Sequence, residues 1–163
     1  MKDIYIEQLV KRKNTKRTML LRILLIIGAV ATLPTIVFSP FFIMAPIFLV
    51  LMAVVYFKST NVEYEYSYFN GSIEIDQIQA KQFRKKLVSI DLDEVEVVAP
   101  TGSLEIQQYR RLKKYNYSSR RKGIPTYQMA INHKGKRARI VFEPKEEILT
   151  EMKLVAPRKV YFY

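Results

Sequence analysis

From Ile23 to Phe57 the chain carries 35 consecutive residues with no Asp, Glu, Lys, Arg or His. A helix of a water-soluble domain must keep one side hydrated, and this stretch has no polar side to offer. About 20 apolar residues cross a hydrocarbon core of about 30 Å, so the run is too long for one crossing and suits two short ones. The break is expected at Ser39-Pro40, because proline removes a backbone donor and disfavours helix at the residue before it. The pattern therefore predicts one span over Met19–Phe38 and a second over Phe41–Phe57. At a helical rise of ~1.5 Å per residue these reach ~30 and ~25 Å. Pro34 and Pro46 lie inside the spans and are expected to kink them, while Gly28, Ala29 and Thr32 offer small surfaces to Ala45 and Ala53.

The flanks give an orientation. Lys11, Arg12, Lys13, Lys16, Arg17 and Arg22 accompany the start of the first span, Lys58 follows the second, and the connection at Ser39 is uncharged. The positive-inside rule then puts both ends of the hairpin, and both termini, on the cytoplasmic side of the cell membrane. Lys16, Arg17, Arg22 and Lys58 flank the bilayer, with Arg22 snorkelling toward the headgroups. Three other readings compete: a signal peptide cleaved near Ala29-Val30-Ala31, a re-entrant or single tilted helix, and a helical hairpin buried in a soluble fold. The 22-residue charged lead with a second apolar run argues against the first. Nothing else in the chain is suited to cover the segment in the last.

After Lys58 the pattern switches to period two. Val62–Phe69 (VEYEYSYF) puts Tyr64, Tyr66 and Tyr68 on one face. Asn70-Gly71 supplies the positive φ angles of a two-residue turn, and SIEIDQIQ returns as the second strand. Further strands are expected at Phe83–Ile90, Glu94–Ala99, Thr126–Asn132 and Ala138–Phe142, the last two joined around Lys134-Gly135-Lys136, with a helical turn near Leu104–Tyr109. Pro144 suits the first turn of a C-terminal helix whose buried stripe is Ile148, Leu149, Met152 and Val155. Lys159–Tyr163 is apolar enough to return to the fold. The organisation is a basic N-terminal cytoplasmic segment (1–18), a two-helix transmembrane hairpin (19–57) and a β-rich cytoplasmic domain (58–163). The class is an α+β membrane protein.

Antiparallel strands closed by one amphipathic C-terminal helix follow the order of pleckstrin-homology (PH)-like domains. VEYEYSYFNGSIEID, SIDLDEVEVVAP, the FEP around Glu143 and MKLVAPRKV, with the opening IYIEQLVKRK, resemble an uncharacterised domain-of-unknown-function family of small bacterial two-span membrane proteins with such a domain. The resemblance implies architecture and location, with no activity attached. Phosphoinositide-binding members of the wider superfamily usually set basic residues around the first hairpin loop, and Asn70-Gly71 has none.

Composition narrows the chemistry. The chain has no Cys and one His, which excludes thiol catalysis and cysteine-ligated metal sites and leaves His133 as a surface residue at a turn. Asp91, Asp93, Glu94 and Glu96 lack the spacing of a calcium loop and read as a solvated turn and strand face. Ser118-Ser119 has no nearby base, and five scattered glycines form no phosphate cradle. No enzyme activity, cofactor, metal or small-molecule substrate is expected. The net charge is +12, and the densest basic run is Arg110, Arg111, Lys113, Lys114, Arg120, Arg121 and Lys122, interleaved with Tyr109, Tyr115 and Tyr117. Such a run suits nucleic acid as well as lipid. A domain tethered beside a bilayer meets anionic headgroups first, at ~1 kcal/mol per cation near the surface. The expected function is a membrane-anchored binding or scaffolding module whose basic loop contacts anionic lipid. The alternative is a structural subunit that packs another membrane protein against its hairpin.

Overall fold

The computed structural model describes residues 4–133 and 135–162. Lys134 of the expected 134–136 turn and Tyr163 of the tail lie outside them.

The first described element is a strand. Residues Tyr5–Lys11 form β1, in a region where the sequence pattern shows no element. Thr15 then caps α1 (Lys16–Thr32), its hydroxyl accepting from Thr18 N. At Pro34 the helix tightens into a 3-10 turn over Leu33–Val37. Ser39 is extended (φ −162°), the break expected there, and a second 3-10 turn (Pro40–Ile43) leads into α2 (Met44–Thr60). Both runs, Lys16–Val37 and Pro40–Thr60, are long and apolar enough to cross a membrane. Both exceed the expected spans by a few residues, most at the ends nearest the strands. Only 6% and 11% of their most apolar stretches are buried in the molecule. Ala29 and Ala53 are buried where the helices meet, and a Cβ added to Gly28 would touch Leu49 at 3.7 Å. Ala45 is exposed instead, and Pro46 is buried in the first turn of α2, where its missing N–H leaves no bond unmade.

Beyond Asn61 come β2 (Val62–Phe69), β3 (Ser72–Gln79), β4 (Phe83–Asp91), a 3-10 turn (Leu92–Glu94) and β5 (Val95–Pro100). These are followed by the one-turn α3 (Leu104–Gln107), β6 (Lys113–Asn116), β7 (Tyr127–His133), β8 (Lys136–Phe142) and α4 (Glu146–Val155). Among the described residues eight strands make two sheets, β1-β2-β3-β4 and β5-β7-β8-β6, two strands more than the six expected. The pairings are antiparallel except β6 with β8, which is parallel. The strand β6, KKYN, was concealed in the run expected to be loop.

The core lies between the two sheets and α4. It takes Tyr64, Tyr66 and Tyr68 from β2, Ile73 and Ile75 from β3, Met129 from β7, Ile140 and Phe142 from β8, and Ile148, Leu149 and Met152 from α4. Val155 does not join them: it is 56% exposed and lies beside the Gly71 turn, where a Cβ added to Gly71 would meet it at 3.5 Å. Pro144 also falls before α4 rather than inside it, with Lys145 at the N-cap. Val160 is buried and bridges to Val98, so the tail docks as expected.

Tyr66 is fully buried, and desolvation pushes its phenol pKa well above the ordinary tyrosine value. The neutral hydroxyl donates to Tyr117 O at 2.7 Å and accepts from Glu143 N at 3.3 Å. Tyr66→Phe keeps the ring and strands both backbone groups. A loss of about 1–3 kcal/mol in denaturant unfolding is expected, against near-neutrality for the half-exposed Tyr127→Phe.

Candidate functional site

The seven basic residues expected to form one surface are all exposed but fall into two groups. Arg110, Arg111, Lys113 and Lys114 sit on and before β6, alongside β8. Arg139 donates to Arg110 O at 3.4 Å, Lys113 Nζ lies 5.2 Å from the Tyr115 ring, and the Arg137 guanidinium covers Tyr109. Arg120, Arg121 and Lys122 sit elsewhere, at the base of the helical hairpin. Lys13, three residues before α1, donates its N–H to Ser119 O at 2.8 Å, and Arg121 shares a cavity wall with Leu9 and Lys11.

A buried carboxylate holds this second group in place. Glu143, 6% exposed, accepts from Ser119 N at 3.0 Å and from Ser119 Oγ at 2.8 Å. Its own carbonyl accepts from Gln8 Nε2 at 2.7 Å, and Gln8 Oε1 accepts from Lys145 N at 2.6 Å. Ser119 Oγ also accepts from Arg121 N at 3.1 Å, so β1, the end of β8 and the basic loop meet in one polar cluster. Arg120 adopts φ +60° and is exposed beside this cluster. Residues Gln8 and Glu143 were not among the expected site residues. The one trace they left in the sequence was a carboxylate between Phe142 and Pro144, directly after the three buried residues that end β8.

Arg22, expected to snorkel, turns toward α2. Its Nη2 donates to Thr60 Oγ1 at 2.6 Å and its guanidinium lies 5.0 Å from the Phe57 ring, tying the bases of the two helices together. Lys16, Arg17 and Lys58 are exposed around the same base. The Asn70-Gly71 turn lies at the other end of β2 and β3, about 25 Å away at ~3.3 Å per residue over eight residues.

Of the four acidic residues in the expected cluster, Asp91 and Asp93 are exposed, while Glu94 and Glu96 are each engaged by a separate partner. Glu96 takes a paired contact from Arg137 (2.9 and 2.6 Å), which holds its carboxyl below the usual range. Glu94 pairs with Nδ1 of His133 at 2.8 Å, so the histidine is half-buried against a carboxylate rather than free at a turn. No three described His, Asp or Glu side chains gather as a metal-binding group. A cavity of about 370 Å³ opens between β4 and β6, lined by Leu87, Val88, Tyr115, Tyr117, Ile140 and their neighbours. Its lining is mainly apolar, with His133 and Lys136 also on its wall, and no Ser, Thr or Cys lines it.

Residues 2–162 match the family model described as Bacterial PH-like domain (DUF6106). No curated protein and no solved structure matches the chain.

The cluster around Glu143 gives a local test. Removing the carboxylate in Glu143→Ala leaves the Ser119 N–H buried without a partner, at an expected cost of about 1.5–3 kcal/mol. Hydrogen exchange should accelerate first at Ser119 and Arg121, with the β2–β3 amides unchanged until global unfolding.

Proposed function

The chain belongs to the bacterial PH-like domain family (DUF6106), and we propose that it is a non-enzymatic binding or scaffolding module held at the cytoplasmic face of the cell membrane by its two-helix hairpin. PH-like domains are generally non-catalytic binding modules, which is the coarse part of this reading. The observation that carries the finer part is the pairing of β1 with β2. Lys11 lies opposite Glu63, and Arg12 N donates to Val62 O at 3.0 Å, so both helices rise from one end of the β domain. Two exposed apolar helices with a common base, cations around that base and an uncharged far turn form the pattern expected of a hairpin inserted from the positive side.

Arg120, Arg121 and Lys122 are the members of the basic set best situated to meet anionic headgroups, since their loop is bonded to Lys13 beside α1. Each contributes ~1 kcal/mol if it lies at the surface, and the attraction is screened over a Debye length of ~8 Å in physiological salt. Arg110, Arg111, Lys113 and Lys114 belong to the same proposal more weakly, being carried by the other edge of the domain. A role as structural subunit is favoured by the hairpin itself: Leu24, Ile27, Phe48, Leu51 and Val55 stay exposed after the helices have packed on each other.

The absence of cysteine makes topology direct to test. In sealed membrane vesicles of one orientation, Ser39→Cys and Lys122→Cys should react with an impermeant maleimide from opposite sides, and carbonate washing should leave the full chain in the pellet. Labelling of both positions from one side contradicts the reading. For the lipid role, the full chain reconstituted with spin-labelled phosphatidylglycerol should select that lipid over phosphatidylcholine. Changing Arg120, Arg121 and Lys122 to Gln should reduce the selection. Unchanged selection removes that role and leaves a subunit, which should co-purify with a partner in fixed ratio.

A further inference from the structure

The β3–β4 turn is strapped to the end of α2. Ala80 N donates to Asn61 O at 2.9 Å, and Gln79 Nε2 donates to Ser59 O at 2.8 Å. Ala80 and Lys81 both adopt left-handed backbone (φ +53° and +58°), a conformation that non-glycine residues rarely adopt. The turn thus spends stability to hold its shape at the helix base. Immediately after it, Phe83 is 68% exposed, and every residue from Lys81 to Lys86 (KQFRKK) is exposed.

Strand alternation sorts these side chains. Arg84 and Lys86 point to the face that carries acidic residues: Arg84 pairs with Glu65 and with Asp76 at 3.4 Å, and Lys86 with Glu74 at 2.6 Å. Lys86 holds the Glu74 carboxyl below its usual pKa range, so that pair is neutralised in place. Phe83 and Lys85 point to the other side. Among the described residues, neither Lys81 nor Lys85 makes an ion pair. An exposed ring with Lys85 on its own face and Lys81 at the turn, on the wall shared with Lys11 and Glu63, is fixed beside the end of an apolar helix and matches the chemistry of a bilayer interface: an apolar boundary under anionic headgroups.

We propose that the β3–β4 turn is a second membrane contact, with Phe83 seated at the headgroup–acyl boundary and Lys81 and Lys85 on anionic headgroups. It rests on the hairpin reading above and adds to it a contact that fixes the tilt of the β domain on the surface.

The chain has no Trp, so one substitution gives a clean probe. Phe83→Trp reports on the turn. Leu154→Trp is the reference: Leu154 is 71% exposed, and its neighbour Val155 rests on Gly71 at the far turn. In the full chain reconstituted into phosphatidylcholine–phosphatidylglycerol vesicles, Phe83→Trp should emit at shorter wavelength and be quenched by lipids brominated near the head of the acyl chain. Leu154→Trp should emit as in water. Adding Lys81→Gln and Lys85→Gln should remove the part of the quenching that depends on phosphatidylglycerol. Identical emission and quenching for the two tryptophans, with the protein still retained after carbonate washing, overturns the contact and leaves the anchor standing. Release by carbonate overturns both.

Discussion

One pairing organises the molecule: β1 lies antiparallel on β2, Tyr5 opposite Phe69 through Lys11 opposite Glu63. Everything between them, residues 12–61, is the loop of a β-hairpin that happens to contain two apolar helices. Antiparallel pairing brings the two ends of such a loop within one strand spacing, ~4.8 Å. The bases of α1 and α2 are therefore neighbours for a reason independent of any packing between the helices. Arg22 reaching Thr60, and Arg12 bonding to Val62, then lock a junction that the strands have already made. The helices cannot stand on opposite sides of the β domain without unzipping a seven-residue ladder.

The same junction decides which charges matter. A count along the sequence gathers seven cations between Arg110 and Lys122, but the fold divides them: parallel pairing of β6 with β8 carries four to one edge, while Glu143 and Lys13 draw the Ser119 loop to the hairpin base. The β3–β4 turn reaches the same base from another direction through Asn61 and Ser59. The buried carboxylate is the least replaceable of these parts. It accepts from the buried Ser119 N–H, which would otherwise be desolvated without a partner, where the cost of loss exceeds the gain of any one surface charge.

What the sequence made legible was the part governed by local periodicity. The 35-residue uncharged run marks both long helices, Ser39-Pro40 marks their break, and the alternation of Val62–Phe69 around Asn70-Gly71 marks β2 and β3. The strand β1 was illegible because its alternation is inverted at two positions. Leu9 is exposed on the outer face, while Gln8 turns inward to reach Glu143 and Lys145. Its partner also lies beyond the whole helical insertion. For β6, KKYN offers no apolar alternation, and its pairing comes from β8, more than twenty residues later. Residue Val155 fits the helical stripe by spacing, yet α4 has passed the edge of the sheets by its last turn. The polar cluster of Gln8, Ser119 and Glu143 joins three distant segments, so no spacing rule reveals it.

On the proposed reading, the β1–β2 register can be read in the membrane itself. Opposed residues on antiparallel strands have Cα atoms about 4.5–5.5 Å apart, within the span a disulfide requires. In this cysteine-free chain, Glu7→Cys with Ser67→Cys should cross-link rapidly under mild oxidation in native membranes, while Glu7→Cys with Glu63→Cys, four positions out of register, should not. Equal cross-linking of the two pairs, or none in either, would contradict an apolar hairpin rooted in a closed strand pair.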